Sequence, residues 1–272
     1  MSEALISVVI PAHNAEKTVT ACLESILRQD WKALQIVVVD DGSTDRTAEL
    51  VAAMAQRDPR IELIRQKNGG VSSARNAGLR QCRGEYIRFT DSDDVMAENS
   101  LRTLVDTMER TDSDLVIGAY TEVLGRYRTR RSLVKEPRTL EMDAVLRDLD
   151  RYAITFYYSV LWNKLFRRES LERQGISFNE ALDWGEDFCF VMNYLREARR
   201  VSYVTDLVYE YNRRADGLIM KQFWSSVCHP WANIKKKLTM YDNLKQLFIH
   251  RGVYPEYRRR LWMFLFRFSF GK

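Results

Sequence analysis

From its first residues to Tyr120 the chain alternates short β-branched runs with longer stretches of helical spacing, and few folds accept that rhythm. Leu5–Ile10, Leu34–Val39, Ile61–Arg65, Glu85–Thr90 and Asp114–Ala119 read as strands, with helices between them at Glu16–Arg28, Asp45–Gln56, Val71–Gln81 and Glu98–Arg110. The first two strands are nearly unbroken hydrophobic runs, as expected of strands covered on both faces. Strand–helix–strand units with short connections imply right-handed crossovers and an α/β, Rossmann-like, mostly parallel sheet between helices. In such sheets the loops beyond the carboxyl ends of the strands hold ligands. With 272 residues, 46% of them hydrophobic, the chain can bury a large core as one large domain or two small ones, which excludes the disordered class.

Past Tyr120 the rhythm changes. Arg126–Arg131 reads as a hairpin or flexible loop, helical spacing resumes at Thr139–Leu149, a helix is expected at Asp187–Ala198 and an edge strand at Leu207–Tyr211. From Lys221 onward the pattern is helical, basic and aromatic. The net charge of +5 conceals a division: residues 211–272 hold 13 Lys and Arg against 3 Asp and Glu, whereas residues 1–210 hold 29 against 34. Four dispersed cysteines with no CxxC pair point to a reduced, cytoplasmic chain, and the N-terminus lacks the pattern of a secretory signal. The most apolar stretch, Leu261–Phe270, contains Arg267 and falls short of the roughly 20 residues that a bilayer span needs.

Four strand-end loops concentrate polar residues: Pro11-Ala12-His13-Asn14, Asp40-Asp41-Gly42-Ser43, Lys67-Asn68-Gly69-Gly70 leading into Ser72-Ser73-Ala74-Arg75-Asn76, and Asp91-Ser92-Asp93-Asp94. A parallel sheet brings all four to one edge. Asp40 and Asp41 read either as a turn with a helix cap or as acceptors for a nucleoside. A nicotinamide-binding Rossmann domain is disfavoured, because the loop after the first strand has no glycine where GxGxxG is required. Three carboxylates at Asp91, Asp93 and Asp94 repel one another unless they sit in solvent or share a divalent cation, and oxygen ligands suit Mg2+ or Mn2+. Glu186 and Asp187 open a helix, where acids are favoured by the dipole alone. Flanked by Trp184 and Phe188, they also suit a general base.

These segments together resemble family 2 glycosyltransferases, inverting nucleotide-sugar transferases of GT-A fold. The matching stretches are ISVVIPAHNAEKTVTACLESILRQ, IVVVDDGSTDRTAELV, NGGVSSARNAGL, GEYIRFTDSDDV and WGEDFCFVMNYL, and WNKLFRRE resembles a segment of bacterial members that build polysaccharide. The resemblance implies a GT-A domain over residues 1–212, with a nucleotide-binding half to 120 and an acceptor half beyond, followed by a basic helical appendage at 213–272. It implies that Asp41, with Asp40, contacts the nucleoside against a wall of Pro11, Ala12, His13 and Asn14, with Asn68, Gly69 and Ser92 adjoining. Arg75 would face the base or diphosphate. Asp91 and Asp93 would form the DxD pair that holds Mn2+ or Mg2+, joined by Asp94. Asp187 would be the general base and Glu186 would orient the acceptor. His13 departs from the tyrosine of many relatives, though it still offers a ring to stack on uracil.

The donor implied is a nucleotide-diphosphate sugar, expected to be a UDP-sugar, and the acceptor a saccharide or lipid-linked hydroxyl in bacterial surface polysaccharide or glycoconjugate synthesis. The alternative is a nucleotide-sugar-binding or membrane scaffold protein without turnover; the intact set of carboxylates favours the enzyme. The basic aromatic tail leaves two readings. The face formed by Leu261, Phe264, Leu265 and Phe268 either packs on the core or lies on an anionic membrane surface, peripheral on the cytoplasmic face of the inner membrane. No nucleic-acid partner is expected.

Overall fold

The computed structural model describes residues 3–152, 156–212 and 230–267. Every residue of β1 (Ile6–Ala12) and β2 (Leu34–Asp41) is buried, as their unbroken apolar runs require. With β3 (Ile61–Gln66) and β4 (Tyr86–Phe89) they form a parallel block in the order β3-β2-β1-β4. The intervening helices α1 (Val19–Leu27), α2 (Thr47–Ala55) and α3 (Val71–Leu79) fall where the periodicity places them. On α1 the buried stripe is Val19, Cys22, Leu23 and Ile26. Gly78 lets α3 lie close on the sheet, because a Cβ there would stand 2.5 Å from Cγ1 of Val9.

The path continues through β9 (Lys164–Arg167), β6 (Leu115–Leu124), β10 (Arg200–Asn212) and β5 (Val95–Met96). β9 runs antiparallel to both β4 and β6 and joins the first block to the parallel pair β6 and β10. α4 (Ser100–Thr111) leads into β6, and Arg126–Arg131 is a hairpin arm, since β7 (Tyr127–Arg131) pairs antiparallel with β6. Two expectations need correction. Residues 139–141 are extended, in β8 (Arg138–Glu141), which pairs with the start of β10, so the helix α5 begins only at Met142 and runs to Tyr152. Leu207–Tyr211 is not an edge strand but part of the 13-residue β10, flanked by β6 and by β8 and β5. A register shift between Tyr203 and Leu207, with Leu207 exposed, breaks the alternation that would otherwise reveal one long strand.

After α6 (Phe156–Ser159), α7 (Arg168–Arg173) and α8 (Glu186–Tyr194), two helices close the fold: α9 (Pro230–His250) and α10 (Tyr254–Arg267). Residues 221–229, where the helical tail was expected to begin, lie outside the described residues. Met240, Leu244, Leu247 and Phe248 form one buried stripe of α9 that joins the main core beside α8. On α10, Leu261 and Phe264 are buried, the Phe264 ring lies 5.6 Å from that of Phe188, and Arg260 pairs with Asp150 of α5 at 3.0 Å. The Leu261–Phe264 face therefore packs on the core; Phe268 lies outside the described residues. Cys22, Cys82 and Cys189 are buried free thiols. No helix among the described residues is long and apolar enough to cross a membrane.

Candidate active site

The parallel block delivers the loops after β1, β2, β3 and β4 to one edge, and their side chains fasten them together. Asp41, buried at the end of β2, spends its carboxylate on the loop after β3: Oδ1 accepts from Gln66 Nε2 and the Gly69 amide, and Oδ2 from the Gly70 amide, each at 2.8 Å. His13 lies 2.8 Å through Nδ1 from the Asp41 carbonyl, so Nδ1 carries the proton and Nε2 accepts from Asn14 Nδ2 at 3.2 Å. Asn68 Nδ2 also lies 3.4 Å from His13 Nε2. Asn14, at φ 50°, accepts the Thr44 amide through Oδ1 and donates its own amide to Ser43 Oγ. Pro11 and Ala12 are buried behind this rim, while His13, Asn14, Asn68 and Gly69 are exposed. Asp40 is buried too; one oxygen accepts the Ser43 amide at 3.2 Å and the other lies 3.6 Å from Arg65.

The second half of the site centres on Arg75. Its guanidinium, 4% exposed on α3, bonds Asp91 at 3.0 Å, Asp187 at 2.6 Å and Glu186 at 3.3 Å, and lies 5.5 Å over the ring of Phe178. Residues 16, 111 and 112 positions away thus meet on one cation. Burial opposes the charge of Arg75, but the three carboxylates outweigh it and raise its pKa. Asp187 is held well above the ordinary carboxylate range, first by burial and then by Glu186 and Asp91, against the pull of Arg75. One guanidinium shared among three acids leaves negative charge in excess, and the result is a carboxylate of raised basicity. The neighbouring Asn76 locks the Phe178 loop, donating to the Phe178 carbonyl and accepting its amide.

Gly185 begins α8 at φ 82°, a conformation that side-chain-bearing residues rarely adopt, and a Cβ there would meet Met240 Sδ at 2.7 Å. The turn that aims Glu186 and Asp187 is therefore packed directly under α9. Lys236 of α9 pairs with Asp183 just before it.

Among the described residues no three metal-ligating side chains are already gathered on one point. The Asp91–Asp94 loop nonetheless suits a hard cation. Asp94 is buried; its Oδ1 accepts the Asn212 amide at 2.8 Å, while its Oδ2 is buried without a hydrogen-bond partner. Burial, then Asp91 and Asp93, push its carboxyl up to about 8. A cation would relieve both the unpaired oxygen and the repulsion. Ser92 and Asp93 are half-buried beside it.

Three contributors escape the sequence reading. Tyr209 accepts the Asp91 amide at 3.1 Å and stacks on Trp162, with ring centroids 4.6 Å apart. Lys164 is fully buried, its ammonium donating to the carbonyls of Tyr157 and Val160 and to Asn163 Oδ1. Burial lowers its pKa, with Asp187 opposing. Lys164 lies within the WNKLFRRE stretch, where a lysine and an asparagine between Trp162 and Leu165-Phe166 are the local signal that could have marked it. Gln66 holds Asp41 and carries no motif.

Residues 7–175 match the family described as glycosyl transferase family 2. The chain is similar to the uncharacterized glycosyltransferase EpsJ of Bacillus subtilis, with 34% identity over 215 residues, 79% of this chain and 62% of EpsJ. It is similar also to glycosyltransferase GlyG of Streptococcus pneumoniae, 32% identical over 232 residues, 82% of this chain and 75% of GlyG. The crystal structure of Staphylococcus aureus TarS 1–349 in complex with UDP-GlcNAc superposes with a TM-score of 0.72 at 26% identity, covering 90% of this chain and 66% of that one. The chain thus spans 62% of the length of EpsJ, and its alignment with full-length TarS, a poly(ribitol-phosphate) beta-N-acetylglucosaminyltransferase, covers 37% of that protein. A family match over more than half of its length, carried on a parallel block whose strand-end loops meet at one edge, shows that the chain belongs to glycosyl transferase family 2 and has the GT-A fold.

Proposed function

We propose that the chain transfers a sugar from a nucleotide-diphosphate donor, a UDP-sugar, to an acceptor hydroxyl with inversion at the anomeric carbon, in the making of a bacterial surface polysaccharide or glycoconjugate. The observation that carries this reading is the meeting of Asp91, Glu186 and Asp187 on Arg75, which sets the proposed donor loop and the proposed base side by side. The UDP-GlcNAc complex of TarS supports the choice of donor.

In this reading the nucleoside lies against Pro11, Ala12, His13 and Asn14, in reach of Asp40, Asp41, Asn68 and Gly69. Asp91, Asp93 and Asp94 would hold Mn2+ or Mg2+, which when bound neutralises charge on the departing diphosphate. Arg75 places a second positive charge at the same point and keeps Asp187 oriented. Asp187, its basicity raised by burial and by its acidic neighbours, takes the acceptor proton as the hydroxyl attacks from the face opposite the leaving group. Glu186 aligns that hydroxyl.

Asp187→Asn tests the assignment, since the two side chains are nearly isosteric. Donor affinity, read by titration calorimetry with UDP-GlcNAc, is expected to hold while turnover falls on the order of 10²-fold or more. A collapse of donor affinity with turnover intact at saturation would make Asp187 a donor ligand and remove the base.

A further inference from the structure

The last two helices present a second face, anchored to the core by the half-buried Tyr241 and Tyr254, that the chemistry above does not use. On α9, Ile234, Leu238, Tyr241, Lys245 and Ile249 recur at three and four residues; on α10, Tyr254, Arg258 and Trp262 recur at four. Tyr241, Tyr254, Arg258, Arg259 and Trp262 line a pocket of about 360 Å³ between the helices. Lys245 lies 5.6 Å over the Tyr254 ring.

Two properties of this face narrow what it meets. Of the eight large hydrophobic residues exposed among the described residues, five sit on these helices: Ile234, Leu238, Ile249, Trp262 and Met263. Residues 230–267 also hold nine Lys and Arg against two acids. Three cations elsewhere on these helices and the turn between them are engaged: Arg260 by Asp150, Lys236 by Asp183, Arg251 by the carbonyls of Leu195 and Ala198. Arg258 and Arg259 have no carboxylate partner among the described residues. Two guanidinium forks in an aromatic-walled pocket are matched to a phosphate carried on a larger body. Exposed apolar side chains and a half-exposed Trp262 beside them suit the headgroup region of a bilayer, where tryptophan concentrates and anionic lipid attracts each cation.

We infer that this pocket seats the phosphate of an anionic phospholipid and that α9 and α10 hold the protein flat on a membrane by this face, not by the Leu261–Phe264 face that the core covers. The inference goes beyond the transfer chemistry and is tested without turnover.

Full-length protein is sedimented with vesicles of phosphatidylcholine alone and of equal parts phosphatidylcholine and phosphatidylglycerol, at low and high salt. Binding is expected only to the anionic vesicles, weakening with salt. Arg258→Gln/Arg259→Gln is expected to lose on the order of tenfold or more of that affinity. Trp262→Ala is expected to weaken it too, whereas the charge-matched control Arg57→Gln/Arg80→Gln, on exposed positions of the opposite end of the chain, is expected to bind nearly as wild type. Absence of binding to anionic vesicles at low salt overturns the inference, and so does an equal loss in the control pair, which would mean diffuse attraction. Glycerol phosphate binding that depends on Arg258 and Arg259 in a protein that ignores vesicles would make the pocket a soluble-phosphate site and overturn it as well.

Discussion

Arg75 is a single cation answering to three acids, and its removal separates the electrostatic role from the rest. Arg75→Met leaves Asp91, Glu186 and Asp187 together without a counter-charge, a change that typically costs 3–5 kcal/mol for a broken buried pair. The cost grows with pH. Asp187 has a folded pKa above its unfolded value, so the folded chain retains a proton that the unfolded chain has shed, and stability is lost as pH rises through that folded value. Urea melts of the variant are expected to diverge from wild type more at about pH 8 than at about pH 5. Asp94 obeys the same sign. Its carboxyl stands at about 8 against 3.8 in an unfolded chain, so its ionisation erodes stability between those values. Asp94→Asn, which keeps an acceptor for the Asn212 amide, is expected to melt like wild type near pH 4 and at a higher temperature at about pH 9 in the absence of divalent cations.

Elements carry the next set of consequences. α3 can present Arg75 only because Gly78 allows it to touch Val9, and Gly78→Ala would push a methyl group into that contact. Overpacking of this kind typically costs 1–3 kcal/mol. A lowered denaturation midpoint together with reduced turnover is the expected pair of readings, since moving α3 moves Arg75. Much at this scale was legible beforehand. Strands β1 to β4 and the helices between them follow from unbroken apolar runs and helical spacing, and the four polar loops follow from the parallel sheet. β9 was not legible, because four residues bear no period and its partners lie 79 to 81 and 47 to 51 positions away. β10 was misread where its bulge exposes Leu207. The candidate residues themselves stood out as acids and glycines at strand ends. What spacing could not convey was their pairing: Asp41 spent on two glycine amides, and Arg75 bound to α8 across more than a hundred residues.

For the whole molecule, the two terminal helices are structural partners of the site. Met240 covers the turn that starts α8, and Phe264 lies against Phe188 one turn further on. Phe264→Ala is expected to lose roughly 3–5 kcal/mol of stability, as a large ring leaves a buried position, and thermal melts would show it as a fall in midpoint.

The strand β9 has a different consequence. Only Tyr86 and Ile87 on one side and Leu115, Val116 and Ile117 on the other pair with it, yet without those contacts β4 and β6 would each present an open edge ready to take up a strand from another chain. Lys164–Arg167 is thus the seam between the half that carries Asp41 and Asp91 and the half that carries Asp187. In a chimaera of two relatives joined near residue 113, this segment crosses from the later half to pair with β4 of the other parent, so the match of Phe166 and Arg167 to Tyr86 and Ile87 decides whether the exchanged halves close into one sheet or aggregate.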